Sequence, residues 1–195
     1  LKWFFRGEEV KIENTRALNN YLTFICHTVY SGTPVVKNEL FNKHKISSAI
    51  SVARKNLIEA LYSHNDKRDL GFPESKFPPE KAIYLSLLKN TGIHILDNDT
   101  FKLVKPSEDS FQGVWEASMI FLEETKYGKI KISELLKILK DKPFGLKQGF
   151  IEIWLPIFLI LINDKVALYG KDGFIPIITP DSLDIIVRKP QEYYL

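Results

Sequence analysis

A single cysteine, Cys26, and four histidines are all the soft metal-binding residues in the chain. One thiol excludes an internal disulfide, and the histidines at 27, 44, 64 and 94 are too scattered to form a spaced ligand set. A membrane-spanning run is missing too. Phe150 to Ile162 is the most apolar stretch, but Glu152 and Pro156 interrupt it, and a span needs about 20 residues. No GxxxxGK(S/T) phosphate loop occurs, so no nucleotide site is expected within the chain. Leu1 is not followed by the charged, apolar and small-residue succession of a signal peptide. These absences point to a cytoplasmic chain with no cofactor, no metal and no membrane partner.

Hydrophobic residues make up 45% and charged residues 26% of the sequence, which places it among folded chains. Its 195 residues suffice for one large domain or two small ones. The polar stretch from Lys105 to Asp109 is the expected boundary, giving a unit over 1–106 and another over 107–195. Because the first residue is Leu rather than Met, the chain is expected to be part of a longer or processed polypeptide.

In the first unit, Trp3 to Val10 alternates enough for a short strand. Asn14 or Thr15 should cap a helix with Leu18, Leu22, Ile25 and Val29 on one stripe, stopped at Gly32. Pro34 is placed in the first turn of a short helix reaching about Asn42. Ser47 or Ser48 caps a longer one with Ile50, Ala53, Leu57 and Leu61 inward and Arg54, Lys55 and Glu59 on the other faces. Short helix, turn and longer basic helix follow the helix-turn-helix order. A loop over 63–79, a helix from Pro79 to Leu88 and a hairpin around Asp97-Asn98-Asp99 complete the unit.

The second unit repeats this order. Asp109 or Ser110 caps a helix carrying Phe111, Val114, Trp115 and Leu122. An extended segment at 130–132 precedes a Ser133-capped helix stopped by Pro143, and an apolar helix over 147–162 follows. Residues 166–178 read as a hairpin around Gly170-Lys171-Asp172-Gly173, and Thr179 caps a last helix with Pro180 in its first turn. The fold class expected is mainly α with small β-hairpins (α+β), built as two winged-helix-like units.

Charge is uneven although the net value is only +3: residues 126–147 carry +5, leaving −2 elsewhere. Such a face attracts phosphate backbones. Candidate nucleic-acid contacts are Lys43, Lys45, Arg54 and Lys55 in the first unit and Lys129, Lys131, Lys147 and Lys171 in the second. Solvated lysine faces have the same composition, so lysines alone decide nothing. Gly145 and Gly149 around Lys147 read as turn and packing glycines. Catalytic residues are not expected: Cys26 and His27 point apart on a helix, and His44, His64 and His94 have no ligand-spaced neighbours. An enzyme would need a pocket joining His94 to acidic side chains.

Three stretches carry a resemblance: "TPVVKNELFNKHKISSAISVARKNLIEAL" (33–61), "FPPEKAIYLSLLKNTGIH" (77–94), and "KPFGLKQGFIEIWLPIFLI" followed by "VALYGKDGFIPIITPDSLDIIVRKP". Together they resemble the region downstream of the ATPase core in very large bacterial P-loop ATPases linked to anti-phage defence, including the phage-exclusion type. Those chains carry an "NEL…KxS" helix pair, an "ExxIY…TGxH" segment and a "PPYGx(K/R)xG" loop. Here Lys142 and Phe144 replace the first proline and the tyrosine. The resemblance implies a non-catalytic interaction or regulatory segment of a larger ATPase, whose partners are the remainder of that polypeptide or other proteins. The alternative is a DNA-binding winged-helix protein.

Overall fold

Side-chain caps and chirality-breaking turns fix where most elements begin and end. The computed structural model describes residues 2–195. In chain order the elements are β1 (Trp3–Phe5), β2 (Glu8–Val10), α1 (Thr15–Val29), α2 (Ser48–Ser63), α3 (Pro79–Tyr84), β3 (His94–Asp97), β4 (Thr100–Leu103), α4 (Asp109–Glu124), α5 (Ile132–Lys140), α6 (Gln148–Leu161), β5 (Leu168–Gly170), β6 (Gly173–Ile175) and α7 (Pro180–Arg188). Seven α-helices and three two-stranded antiparallel hairpins among the described residues make the chain mainly helical, of the α+β class. Among them no helix is long and apolar enough to cross a membrane.

The chain divides into a small unit ending at Ser31 and a large one, Gly32–Leu195. In the small unit, β1 turns into β2 through Arg6 and Gly7, both at positive φ. Asn14 Oδ1 accepts from the Ala17 N–H at 2.9 Å and starts α1. The Phe5 and Tyr21 rings meet edge to face with centroids 6.1 Å apart, pinning hairpin to helix.

The large unit is organised around α6, where every residue from Gly149 to Leu159 except Glu152 is buried. Phe150 packs on Phe41, Trp154 on Phe111 and Phe158 on Trp115, with ring centroids 5.7–5.9 Å apart. Pro156 lies inside the helix and removes the donor that the Glu152 carbonyl would otherwise receive. Gly149 explains why α6 fits so closely: its N–H donates to the Lys43 carbonyl at 2.8 Å, and a Cβ there would lie 2.6 Å from Ile46 Cγ2. Gly145 has φ +60°, the left-handed value that a tight turn needs. The two glycines thus serve the turn and the packing, as the sequence led us to expect.

One expected helix is absent. Residues 34–42 are irregular, because Asn38 diverts the backbone. Its Oδ1 accepts from the Leu40 N–H at 2.9 Å, closing an Asx turn, while its Nδ2 donates to Ser86 Oγ at 2.8 Å and to the Ala82 carbonyl. Neither Asp109 nor Ser110 caps α4: Asp109 is its first residue, behind Glu108, and Ser110 Oγ accepts from the Val35 N–H at 2.9 Å. Helix α5 starts one residue before the expected Ser133. The other caps agree: Ser47 opens α2, and Thr179 forms a reciprocal capping box with Ser182 ahead of α7. The boundary expected near 106 falls inside the large unit, whose core runs across it from α2 to α6 and α7.

Candidate functional site

Three segments distant in sequence meet at one edge of the large unit. Backbone pairing brings them together: the Ile130 N–H donates to the Leu195 carbonyl and the Leu195 N–H to the Ile130 carbonyl, while Tyr169 and Tyr194 exchange both bonds at 2.9 Å. The segment 130–131, the segment 193–195 and β5 therefore lie side by side. The turn Thr125–Tyr127 after α4 and the loop around Lys165 close the edge into an open cleft of about 390 Å³.

Lys126, Lys129, Lys165, Tyr127 and Tyr169 are among the residues lining it. The Lys129 ammonium sits 3.6 Å from the centre of the Tyr169 ring, a cation over a π face, and Lys131 lies 5.9 Å from that of Tyr194. Tyr169 and Phe174 are cross-strand partners in β5 and β6, with rings 5.6 Å apart. Among the described residues, Lys129, Lys131, Lys165 and Lys171 have no carboxylate within ion-pairing distance, whereas Lys126 pairs with Glu123. Three uncompensated ammonium groups, those of Lys129, Lys131 and Lys165, beside the exposed Tyr127 and half-buried Tyr169 can hold a polyanion with planar groups.

The sequence-derived candidates separate into distinct places. Lys129 and Lys131 belong to this edge, and Lys171 lies at the tip of the β5–β6 hairpin, next to Asp172. Lys43 and Lys45 are exposed on the irregular segment before α2, and Lys147 is half-buried with its Nζ donating to the Asn42 carbonyl at 3.2 Å. Lys55 is exposed but pairs with Asp184 at 3.1 Å. Arg54 is only 3% exposed and its Nη1 and Nη2 are each 2.7 Å from a carboxylate, of Glu152 and Asp184, so it serves the chain's own acids. Tyr127, Lys165 and Tyr169 were not singled out in the sequence. Nothing in their spacing announces a site, because the pairing of 193–195 with β5 is what gathers them.

His94 lies in a second polar cluster. It is 4% exposed, with Nδ1 2.8 Å from the Tyr84 hydroxyl and Nε2 donating to the Asn65 carbonyl at 2.8 Å. The Tyr84 hydroxyl is also 3.2 Å from Asp69, which Lys89 approaches at 2.7 Å. Burial and the Asp69 carboxylate push the Tyr84 phenol well above its ordinary value. Burial opposes ionisation of Asp69, yet the Lys89 ammonium, the Tyr84 hydroxyl and Arg68 outweigh it and hold the carboxyl below its ordinary value. Both imidazole nitrogens are used inside the protein, so His94 reaches Asp69 only through the Tyr84 hydroxyl and offers no nitrogen to a substrate. Its role is to fasten the loop that carries Asp69 and Leu70, both at positive φ.

Among the described residues no group of three His, Cys, Asp or Glu side chains could hold a metal ion. The chain matches no protein-family model, no curated protein and no solved structure to which it was compared.

Proposed function

We propose that this chain is a binding segment rather than a reaction centre, and that its ligand surface is the lysine and tyrosine cleft, which takes the phosphate backbone of a nucleic acid. The observation that carries the reading is the set of uncompensated lysines, Lys129, Lys131 and Lys165, on one edge beside Tyr127 and Tyr169. The succession of α4, the extended segment at 130–131, α5, α6 and the β5–β6 hairpin supports a winged-helix-like description of this half, with Lys171 at the wing tip. Its partner strand at 194 lies between the 131 segment and β5.

Titrating a labelled oligonucleotide across a salt series tests this reading. Binding should weaken steeply, with log K falling by about 0.7–0.9 per log unit of salt for each phosphate neutralised. Lys129→Ala and Lys165→Ala should each lower that slope by roughly one. No binding at low salt would sink the reading.

A second reading has its own support. The stretches that resemble the phage-exclusion-type ATPases converge in one scaffold: Asn38 bonds Ser86, and Gly149 bonds Lys43. We infer that this scaffold is a non-catalytic segment of a larger bacterial P-loop ATPase, working in the cytoplasm and passing nucleotide state to partner proteins or DNA. A P-loop in the same open reading frame is the expected finding. Saturable ATP binding by this chain alone would contradict it.

A further inference from the structure

We propose that the polynucleotide held in the cleft is single-stranded, with an unpaired base stacked on Tyr127, a second aromatic contact at Phe174, and phosphates on Lys129 and Lys165. The inference rests on the nucleic-acid reading of the cleft and adds the form of the ligand.

A winged-helix unit reads a duplex by laying a free polar face of the helix ahead of its hairpin in the major groove. The helix ahead of the hairpin, α6, has none: between Gly149 and Leu159 its one unburied side chain is Glu152, which is held by Arg54 at 2.7 Å and by Gln148 at 3.2 Å. Duplex recognition through α6 would therefore be confined to phosphates.

The aromatics need a different ligand. Tyr127 is 94% exposed, a full ring carried beyond the end of α4 between Lys126 and Lys129 in sequence. On a duplex, whose base faces are hidden in the stack, this ring has nothing to cover it. An unpaired base offers such a face, and stacking of this kind is sequence-tolerant. Tyr169 cannot play the same part, because the Lys129 ammonium already covers its face at 3.6 Å. Its cross-strand neighbour Phe174 is 58% exposed and continues the aromatic path along the hairpin.

Charge sets the direction of the path. Glu116 and Glu124 lie with Met119 and Ile120 on the outer side of Tyr127, Lys126 is neutralised by Glu123, and the unpaired Lys129 and Lys165 line the other side. A polyanion is repelled from the first side and held on the second, so the strand passes Tyr127 on its lysine side and runs toward β5.

The test is fluorescence anisotropy with the full chain and four labelled probes: an oligo-dT, an oligo-U, and a DNA and an RNA duplex of the same length. Either single strand should bind at least about 10-fold more tightly than its duplex. Tyr127→Ala should weaken single-strand binding about 5- to 100-fold, the range expected for one stacked base, with the salt slope unchanged. Tyr127→Phe should restore it. Lys129→Ala should weaken single strands and duplexes alike and lower the slope. Because Tyr127 is exposed, circular dichroism of its variants should match the parent chain. A preference for dT or for U, which differ in the 2′-hydroxyl and the C5 methyl, supports the proposal either way. Equal or tighter duplex binding, or a neutral Tyr127→Ala, overturns it while the phosphate reading stands. Failure of all four probes at low salt removes both.

Discussion

Arg54 on α2 and Asp184 on α7 are joined by a 2.7 Å contact between Nη2 and Oδ1, with both side chains more than nine-tenths buried. The same guanidinium reaches Glu152 on α6, so one side chain ties three helices together. Removing Arg54 leaves Glu152 without a cation and Asp184, deep in the unit, with only the more exposed Lys55 and Arg188. Arg54→Ala should destabilise the large unit by about 3–5 kcal/mol in urea unfolding. Arg54→Lys should recover little, because an ammonium lacks the planar fork that serves two acids at once. The triple change Arg54→Met, Glu152→Met, Asp184→Leu should recover much of the loss, since it removes charge and partner together.

Acid should act through the same cluster. Burial opposes ionisation of Asp184, but bonds from Arg54 and Lys55 and the charges of Arg54 and Arg188 hold its carboxyl below its ordinary 3.8. A depressed folded-state value means that the stability it lends is complete above the unfolded value of about 3.9 and is lost as pH falls below it. Unfolding free energies measured across that window should fall with falling pH in the parent chain. They should fall less steeply in Asp184→Asn, which starts from a lower stability at neutral pH.

Loss of the Tyr84 hydroxyl should loosen residues 64–78 more than the rest of the unit. Tyr84→Phe leaves His94 Nδ1 buried without its partner and should cost about 1–3 kcal/mol. Amide hydrogen exchange around Asp69 and Leu70 should accelerate, while α6 stays protected until global unfolding. In the parent chain the Tyr84 phenol is pushed upward, so alkaline spectrophotometric titration should find one tyrosine that ionises only as the fold is lost.

Two glycines should respond oppositely to alanine. At Gly149 the new methyl meets Ile46 Cγ2 at 2.6 Å and the Lys43 carbonyl at 2.9 Å, besides the Phe41 carbonyl, so the variant should lose about 1–3 kcal/mol. At Gly113, inside α4, the nearest atom is Phe144 Cε1 at an ordinary 3.4 Å. Gly113→Ala should therefore be neutral or gain up to about 1 kcal/mol from helix propensity. Thermal unfolding of the two variants side by side checks both directions.

Local signals carried most of the element assignment. Asn14, Ser47 and Thr179 cap the helices they were expected to cap, and the turns at 98–99 and 171–172 close the two hairpins. The miss at 34–42 arose from a tertiary contact: Asn38 is bonded to residues of α3 and the turn after it, and no window around Pro34 contains them. Arg54 was misassigned to an outer face although a signal was present. Positions 50, 53, 54, 57, 58 and 61 form one helical stripe, and all are buried. An arginine on that stripe looks polar and therefore outward until its acids appear. The cleft was legible only in Lys129 and Lys131, because Tyr127, Lys165 and Tyr169 are gathered by strand pairing across long separations.

Arg54 and its two acids also bear on how the chain finds its structure. They are 98 and 130 residues apart in sequence, so a large loop must close before the contact forms, and its entropy is lost ahead of any return. Helix α2 can form early on its own signals, but its buried arginine stays unpaired until α6 and α7 arrive. Folding of the large unit should accordingly be slow and concerted, and fragments divided near residue 106 should gain cooperative structure only when mixed.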